Sequence, residues 1–83
     1  MTKKNYSVTI KTNHDIYKGK GETPIIALRS IPKPFKVMWR AMVTLTDGEK
    51  KVETLMYPTR LKRLFYNKMF QEIAMKKLCI LMK

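Results

Sequence analysis

Acidic side chains are scarce in this sequence. Its 83 residues include only six Asp and Glu against 18 Lys and Arg, which gives a formal net charge of +12 at pH 7. No carboxylate occurs from Thr54 through Gln71. The positive potential of such a surface favours a polyanionic partner. The plain alternative is a lysine-rich surface that only keeps the protein soluble.

Cysteine and histidine are represented by one residue each, Cys79 and His14. One cysteine excludes an internal disulfide framework, so a reducing compartment is expected and the cytoplasm is the predicted location. The pair is too sparse for a Cys/His metal site, and no cofactor is predicted. A nucleophilic Cys79 would need a neighbouring base, but His14 lies in an expected turn. With no other catalytic motif, we expect a protein that is not an enzyme.

Long apolar runs are also missing. No segment approaches the roughly 20 apolar residues of a membrane span, and no apolar stretch of a signal peptide follows the N-terminal lysines. The glycines of Gly19-Lys20-Gly21 lack the spacing of a phosphate-binding loop and are expected to be turn residues. A chain of 83 residues with 45% apolar side chains predicts one small basic domain, residues 1–83, that folds.

The N-terminal part predicts a hairpin. Apolar and polar side chains alternate from Tyr6 to Lys11, which is the period of a half-buried strand. Residues 13–15 supply turn-forming side chains, and the segment from Ile16 to Lys20 can return as the second strand.

A short helix is expected next. Thr23 can accept hydrogen bonds from free N–H groups at a helix start, and Pro24 suits the first helical position. We expect this helix to end at about Ile31, because Pro32 and Pro34 cannot continue it.

Residues 35–57 show the clearest alternation and predict a second hairpin. Asp47-Gly48 suits the centre of a type I′ turn, and the returning strand places Val52, Thr54 and Met56 on the apolar face. Trp39 shares that face, so we expect it in the core rather than stacked on a base. The apolar face of the first strand comprises Phe35, Val37, Trp39, Ala41, Val43 and Leu45.

A long final helix is predicted from Pro58-Thr59 onwards. Its apolar stripe, expected to pack on the sheet, comprises Leu61, Leu64, Phe65 and Met69. From Ile73 to Met82 apolar residues surround the helix axis. This end needs a cover, and the domain itself, a short strand or an oligomer contact would each provide one.

The predicted fold class is therefore α+β, in the order ββαββα. About four strands form one antiparallel sheet, with the short first helix and the long C-terminal helix packed on one face.

Two sets of residues are candidate phosphate contacts, since both combine cations with aromatic or amide groups. The helical set is Arg60, Lys62, Arg63, Tyr66, Asn67 and Lys68. The sheet set is Lys36, Arg40, Lys51 and Tyr57, extended by Lys18 and Lys20 of the first hairpin. The plain alternative for the helical set is a solvated helix face.

The expected function is a non-enzymatic nucleic-acid-binding module that contacts the phosphate backbone, as part of a ribonucleoprotein or as a DNA-binding accessory factor. Charge alone does not distinguish RNA from DNA. The alternative is a small phage- or plasmid-type regulatory protein. It would bind an acidic host protein, or self-associate, through the apolar segment from Ile73 to Met82.

Overall fold

A computed structural model describes residues 5–32 and 40–82 of the chain. The α+β class is confirmed, although the final helix is divided into two. The predicted strand residues 35–39, including Lys36 and Trp39, lie outside the described residues. The elements are β1 (Tyr6–Lys11), β2 (Ile16–Gly21), α1 (Pro24–Arg29), β3 (Ala41–Thr46), β4 (Lys51–Met56), α2 (Pro58–Tyr66) and α3 (Lys68–Met82).

The four strands form one antiparallel sheet in the order β2-β1-β3-β4. The two hairpins join through β1 and β3, where Val8 lies opposite Leu45 and Ile10 lies opposite Val43. All four of these side chains are buried, as the alternation predicted. The period of two thus directs one face of the sheet into the core, and none of the described helices packs on the other face.

The β3–β4 turn differs from the predicted type I′ turn. The backbone N–H of Asp47 donates to the carbonyl of Lys50 at 3.2 Å, so Gly48 and Glu49 are the central residues. Gly48, at φ 97°, is the only described residue with positive φ, whereas a type I′ turn needs two. Positive φ at the first central residue alone is the type II′ pattern. The even loop still keeps the predicted residues of β4 on the core side, namely Val52, Thr54 and Met56.

Helix α1 approaches β2 at the two glycines of that strand. A Cβ atom on Gly19 would lie 2.1 Å from the carbonyl oxygen of Ala27, and one on Gly21 would lie 2.7 Å from the backbone nitrogen of Ala27. The backbones can therefore meet only because neither strand residue has a side chain.

The start of α1 is as predicted. The Thr23 hydroxyl accepts a hydrogen bond from the N–H of Ile26 at 3.1 Å, and Pro24 is the first helical residue. The helix ends at Arg29, two residues before the expected Ile31.

The prediction of one C-terminal helix is wrong. The structure has two helices there, because Asn67 interrupts the helical backbone. Its backbone is extended (φ −106°, ψ 109°), while its Oδ1 atom accepts the N–H of Phe70 at 3.0 Å. Asn67 therefore ends α2 and caps α3.

The break also changes which apolar residues are buried. Met69, predicted in the apolar stripe, is 71% exposed. Helix α2 does bury its predicted residues Leu61, Leu64 and Phe65, but it packs mainly against α3 rather than on the sheet. Helix α3 contacts α1, β3 and β4. Its core-facing residues are Gln71, Ala74, Met75, Leu78 and Met82.

The segment from Ile73 to Met82 is covered on one side only. Its inner side belongs to the core that the sheet and the helices share. Its outer side leaves Ile73, Ile80 and Leu81 exposed, in addition to Met69.

Gln71 is the buried polar side chain of the described core, with 7% of its surface exposed. Its Nε2 atom donates to the carbonyl oxygen of Phe65 at 3.2 Å. Its Oε1 atom accepts from Nε of Arg29 at 3.2 Å. One amide thus connects α3 to α2 and to α1.

Replacing Gly19 by Ala should reduce the free energy of unfolding by about 3 kcal/mol or more, because the added methyl group meets the α1 backbone. Gly48→Ala is the matched control. Its Cβ atom would have nothing within 4 Å, so only its positive φ opposes the change, at about 1–2 kcal/mol. Urea unfolding monitored by circular dichroism measures the free energy of unfolding of both variants. Equal losses in the two variants would contradict the close approach of α1 to β2.

Replacing Gln71 by Leu should lower the free energy of unfolding by about 1–3 kcal/mol, because it leaves the Phe65 carbonyl without its hydrogen-bond donor. Lys77→Leu introduces the same side chain at an exposed position of α3 and should change stability by about 0.5 kcal/mol at most. Thermal unfolding of the two variants checks the difference. A Gln71→Leu protein as stable as the Lys77→Leu protein would contradict the assigned role.

Candidate functional site

An open groove of about 870 Å³ lies where α2 turns into α3. We call it the elbow groove. It brings together five of the six helical residues predicted from the sequence. Arg60 is exposed on α2 but does not line the groove. The lining residues are Thr59, Lys62, Arg63, Tyr66, Asn67, Lys68 and Met69.

The helical period places the cations of α2 in this groove. Burial of the Leu61, Leu64 and Phe65 stripe turns Lys62 and Arg63 outward. Lys68 joins them from the first position of α3. No carboxylate lines the groove, which follows from the carboxylate-free segment seen in the sequence.

The helix termini themselves add little net charge to the groove. The C-terminus of α2 has a partial negative charge and the N-terminus of α3 has a partial positive charge, and the two meet at Asn67. Lys68 is also unfavourably placed at a positive helix end, where an anion would be stabilising. The positive potential of the groove therefore comes from Lys62, Arg63 and Lys68.

Asn67 has a structural role that the sequence prediction did not include. Its side-chain oxygen accepts the N–H of Phe70, and its backbone carbonyl accepts the N–H of Gln71 at 3.0 Å. A contact with a ligand would therefore fall to its NH₂ group.

The second candidate set lies on the sheet face opposite the helices, which we call the open face. The strand register arranges its side chains in three rows, each running across β2, β1, β3 and β4. The first row is Lys20, Ser7, Thr46 and Lys51. The second row is Lys18, Thr9, Thr44 and Glu53. The third row is Ile16, Lys11, Met42 and Leu55.

The predicted sheet residues occupy different ends of this face. Lys51 and Lys20 lie at opposite edges of the first row. Tyr57 has an extended backbone and follows Leu55 in the alternation of β4, beyond the third row. Arg40 precedes β3, and continuation of the register places it beside Tyr57. Lys36, the remaining predicted residue, is outside the described residues.

Lys11, Ile16, Met42 and Leu55 also belong to this surface, although the candidate set predicted from the sequence did not include them. Alternation in the second hairpin does assign Met42 and Leu55 to the side opposite its apolar face. Period-two alternation does assign Lys11 to the polar side of β1. That it lies between Ile16 and Met42 follows only from the strand order.

The two candidate sets belong to different parts of the fold. Lys18 and Lys20 lie on the sheet face opposite the helices, whereas the residues that line the elbow groove belong to α2, α3 and the Asn67 junction between them. The elbow groove and the basic edge of β2 are therefore two separate positive surfaces.

Within residues 5–32 and 40–82, no group of three or more His, Cys, Asp or Glu side chains is arranged to hold a metal ion. None of the described helices has the length and apolar character needed to cross a membrane. Comparison with protein-family models, curated proteins and solved structures finds no match to this chain.

Proposed function

We propose that this protein binds nucleic acid through the phosphate backbone, with the elbow groove as its contact surface. The observation that supports this is the convergence of Lys62, Arg63 and Lys68, from two helices, on one groove without a lining carboxylate. Each cation that neutralises a phosphate releases a condensed counterion, which is the main source of sequence-independent affinity.

The other lining groups suit the same ligand. The guanidinium of Arg63 can hold two phosphate oxygens at once, which a lysine cannot do. The hydroxyl of Thr59 and the NH₂ group of Asn67 are the neutral donors that commonly accompany such contacts. Because these groups address phosphate, the proposed recognition depends on the backbone and shape of the nucleic acid. We propose a binding role without catalysis, in a ribonucleoprotein or as a DNA-binding accessory factor.

Replacing Lys62 and Arg63 together by Gln should weaken binding to a 20-base-pair duplex and to a single strand of equal length. Loss of two phosphate contacts should reduce the slope of log Kobs against log salt by about 1.8 for the duplex. Affinity at 100 mM salt should fall about tenfold or more. Fluorescence anisotropy titrations at several salt concentrations measure both quantities.

The control is Lys76→Gln with Lys77→Gln, which removes the same formal charge from exposed positions of α3. Lys76 lies about 12 Å along the helix from Lys68, beyond the Debye length of about 8 Å at physiological salt. The control double variant should therefore lose severalfold less affinity for both probes than the Lys62 and Arg63 double variant. Equal losses in the two double variants would assign binding to net charge alone. Absence of binding to either probe at 50 mM salt would refute the proposal.

A second candidate function is protein binding through the outer side of α3, by docking on an acidic host protein or by self-association. The observation that favours it is the exposure of Met69, Ile73 and Ile80 along that side, beside Lys76 and Lys77.

If the protein self-associates, the mass measured by light scattering should rise with concentration in the native protein. It should not rise in the double variant Ile73→Ser with Ile80→Ser. A monomer at all concentrations would eliminate self-association.

A further inference from the structure

We infer that the open face is a second binding site, distinct from the elbow groove, and that its ligand is single-stranded nucleic acid. This inference rests on the proposed function and narrows its ligand class. Its basis is that the open face combines a basic end with an apolar end.

The basic end consists of the first two rows of the open face. Lys18 and Lys20 are two residues apart on β2, which separates them by about 7 Å along the strand. Lys51 lies in the row of Lys20 but three strands away, about 14 Å across the sheet. Cations therefore stand on both edges, and a chain of phosphates that crosses the face would meet them in succession.

Short hydroxyl side chains fill the space between these edges. Ser7, Thr9 and Thr44 are three of the four central residues of the two rows, and all three are partly exposed. Hydroxyl groups of this kind donate to phosphate and sugar oxygens. Thr46 does not contribute in the same way, because its hydroxyl donates to the carbonyl of Lys50 at 2.8 Å in the turn.

The charge of the face is strongly unbalanced. Its rows contain one carboxylate, Glu53, which forms an ion pair with Lys51 at 3.3 Å. Both groups are well exposed, so water screens this pair and it contributes little. The other described cations of the face are Lys11, Lys18, Lys20 and Arg40. An occupant must therefore be anionic.

The apolar end consists of the third row and Tyr57. Ile16, Met42 and Leu55 lie in one row around the aliphatic stem of Lys11, and each is more than a third exposed. Tyr57 extends this end with a side chain that is 59% exposed. An occupant that covers the whole face must therefore also offer apolar surface.

An unpaired nucleic-acid strand has both properties, because its bases expose flat apolar faces beside its phosphates. Such bases stack on tyrosine rings and on arginine planes, the two groups that Tyr57 and Arg40 provide at neighbouring positions. A duplex hides its base faces within the stack, and so leaves the apolar row uncovered. A second copy of this sheet would add further cations and would not supply the anionic groups that the face requires.

The test compares a fluorescein-labelled 12-mer of oligouridine with a 12-base-pair duplex. Lys18→Gln with Lys20→Gln should weaken oligouridine binding at least tenfold and duplex binding less than threefold. The Lys62 and Arg63 double variant should weaken duplex binding about tenfold. It should weaken oligouridine binding by a smaller factor, because the open face still binds the strand. Lys76→Gln with Lys77→Gln is the charge control and should change either affinity less than threefold.

Tyr57 provides an independent variant. Its side chain makes no hydrogen bond at the start of α2, so its replacement should leave the helix intact. Tyr57→Leu keeps an apolar group but removes the ring and should weaken oligouridine binding about tenfold. Tyr57→Phe keeps the ring and should bind as the native protein does. Circular dichroism before each titration verifies that the variants are folded.

Four outcomes would overturn the inference. They are unchanged oligouridine affinity in the Lys18 and Lys20 variant, equal losses for the two probes, a Tyr57→Leu protein that binds like the Tyr57→Phe protein, and displacement of oligouridine by polyglutamate or phosphatidylserine vesicles at equal charge concentration. If duplex binding still depends on Lys62 and Arg63, the proposed function stands although the inference fails. If the native protein binds neither probe, both fail.

Discussion

The side-chain amide of Gln71 is the polar contact on which the arrangement of the three helices depends. It is buried, and each end of the amide has a partner on a different helix. A buried amide is unfavourable unless both its oxygen and its nitrogen are hydrogen-bonded, so the packing is fixed within narrow limits. The donor contact ties α3 to the last turn of α2, which is also the wall of the elbow groove. The spacing of Lys62, Arg63 and Lys68 therefore depends on a residue that does not line the groove.

The strands were predictable because their pattern is local. Alternation in residues 6–11 and 41–56 assigns each side chain to one of two faces, and only an error of one residue in register would reverse the assignment. The start of α1 was equally predictable, because the Thr23 hydroxyl and the fixed backbone of Pro24 determine it locally. The turn at Gly48 was located but given the wrong type, because the residue with positive φ identifies the turn only when the pairing around it is known.

The helix break and the open face were not predictable to the same degree. Asn67 is tolerated inside a helix at little cost, so the residues around it read as one continuous helix. Its role as a cap follows from the packing of α2 against α3 and from the amide of Gln71. Gly19 and Gly21 were predicted as turn residues, but they lie in β2, where the absence of a side chain allows α1 to approach. The rows of the open face depend on the strand order. That order includes the pairing of β1 with β3, which are separated in sequence by β2 and α1.

The strand order also has a consequence for how quickly this fold can form. Each hairpin closes a short loop, but the central pair of the sheet joins residues such as Ile10 and Val43, which are far apart in sequence. The entropy of closing that long loop must be overcome before the apolar contacts between β1 and β3 are gained. We therefore expect association of the two hairpins to be the slow step in acquiring the native topology. Substitutions at the β1–β3 contact should slow folding, whereas those confined to α3 should mainly accelerate unfolding.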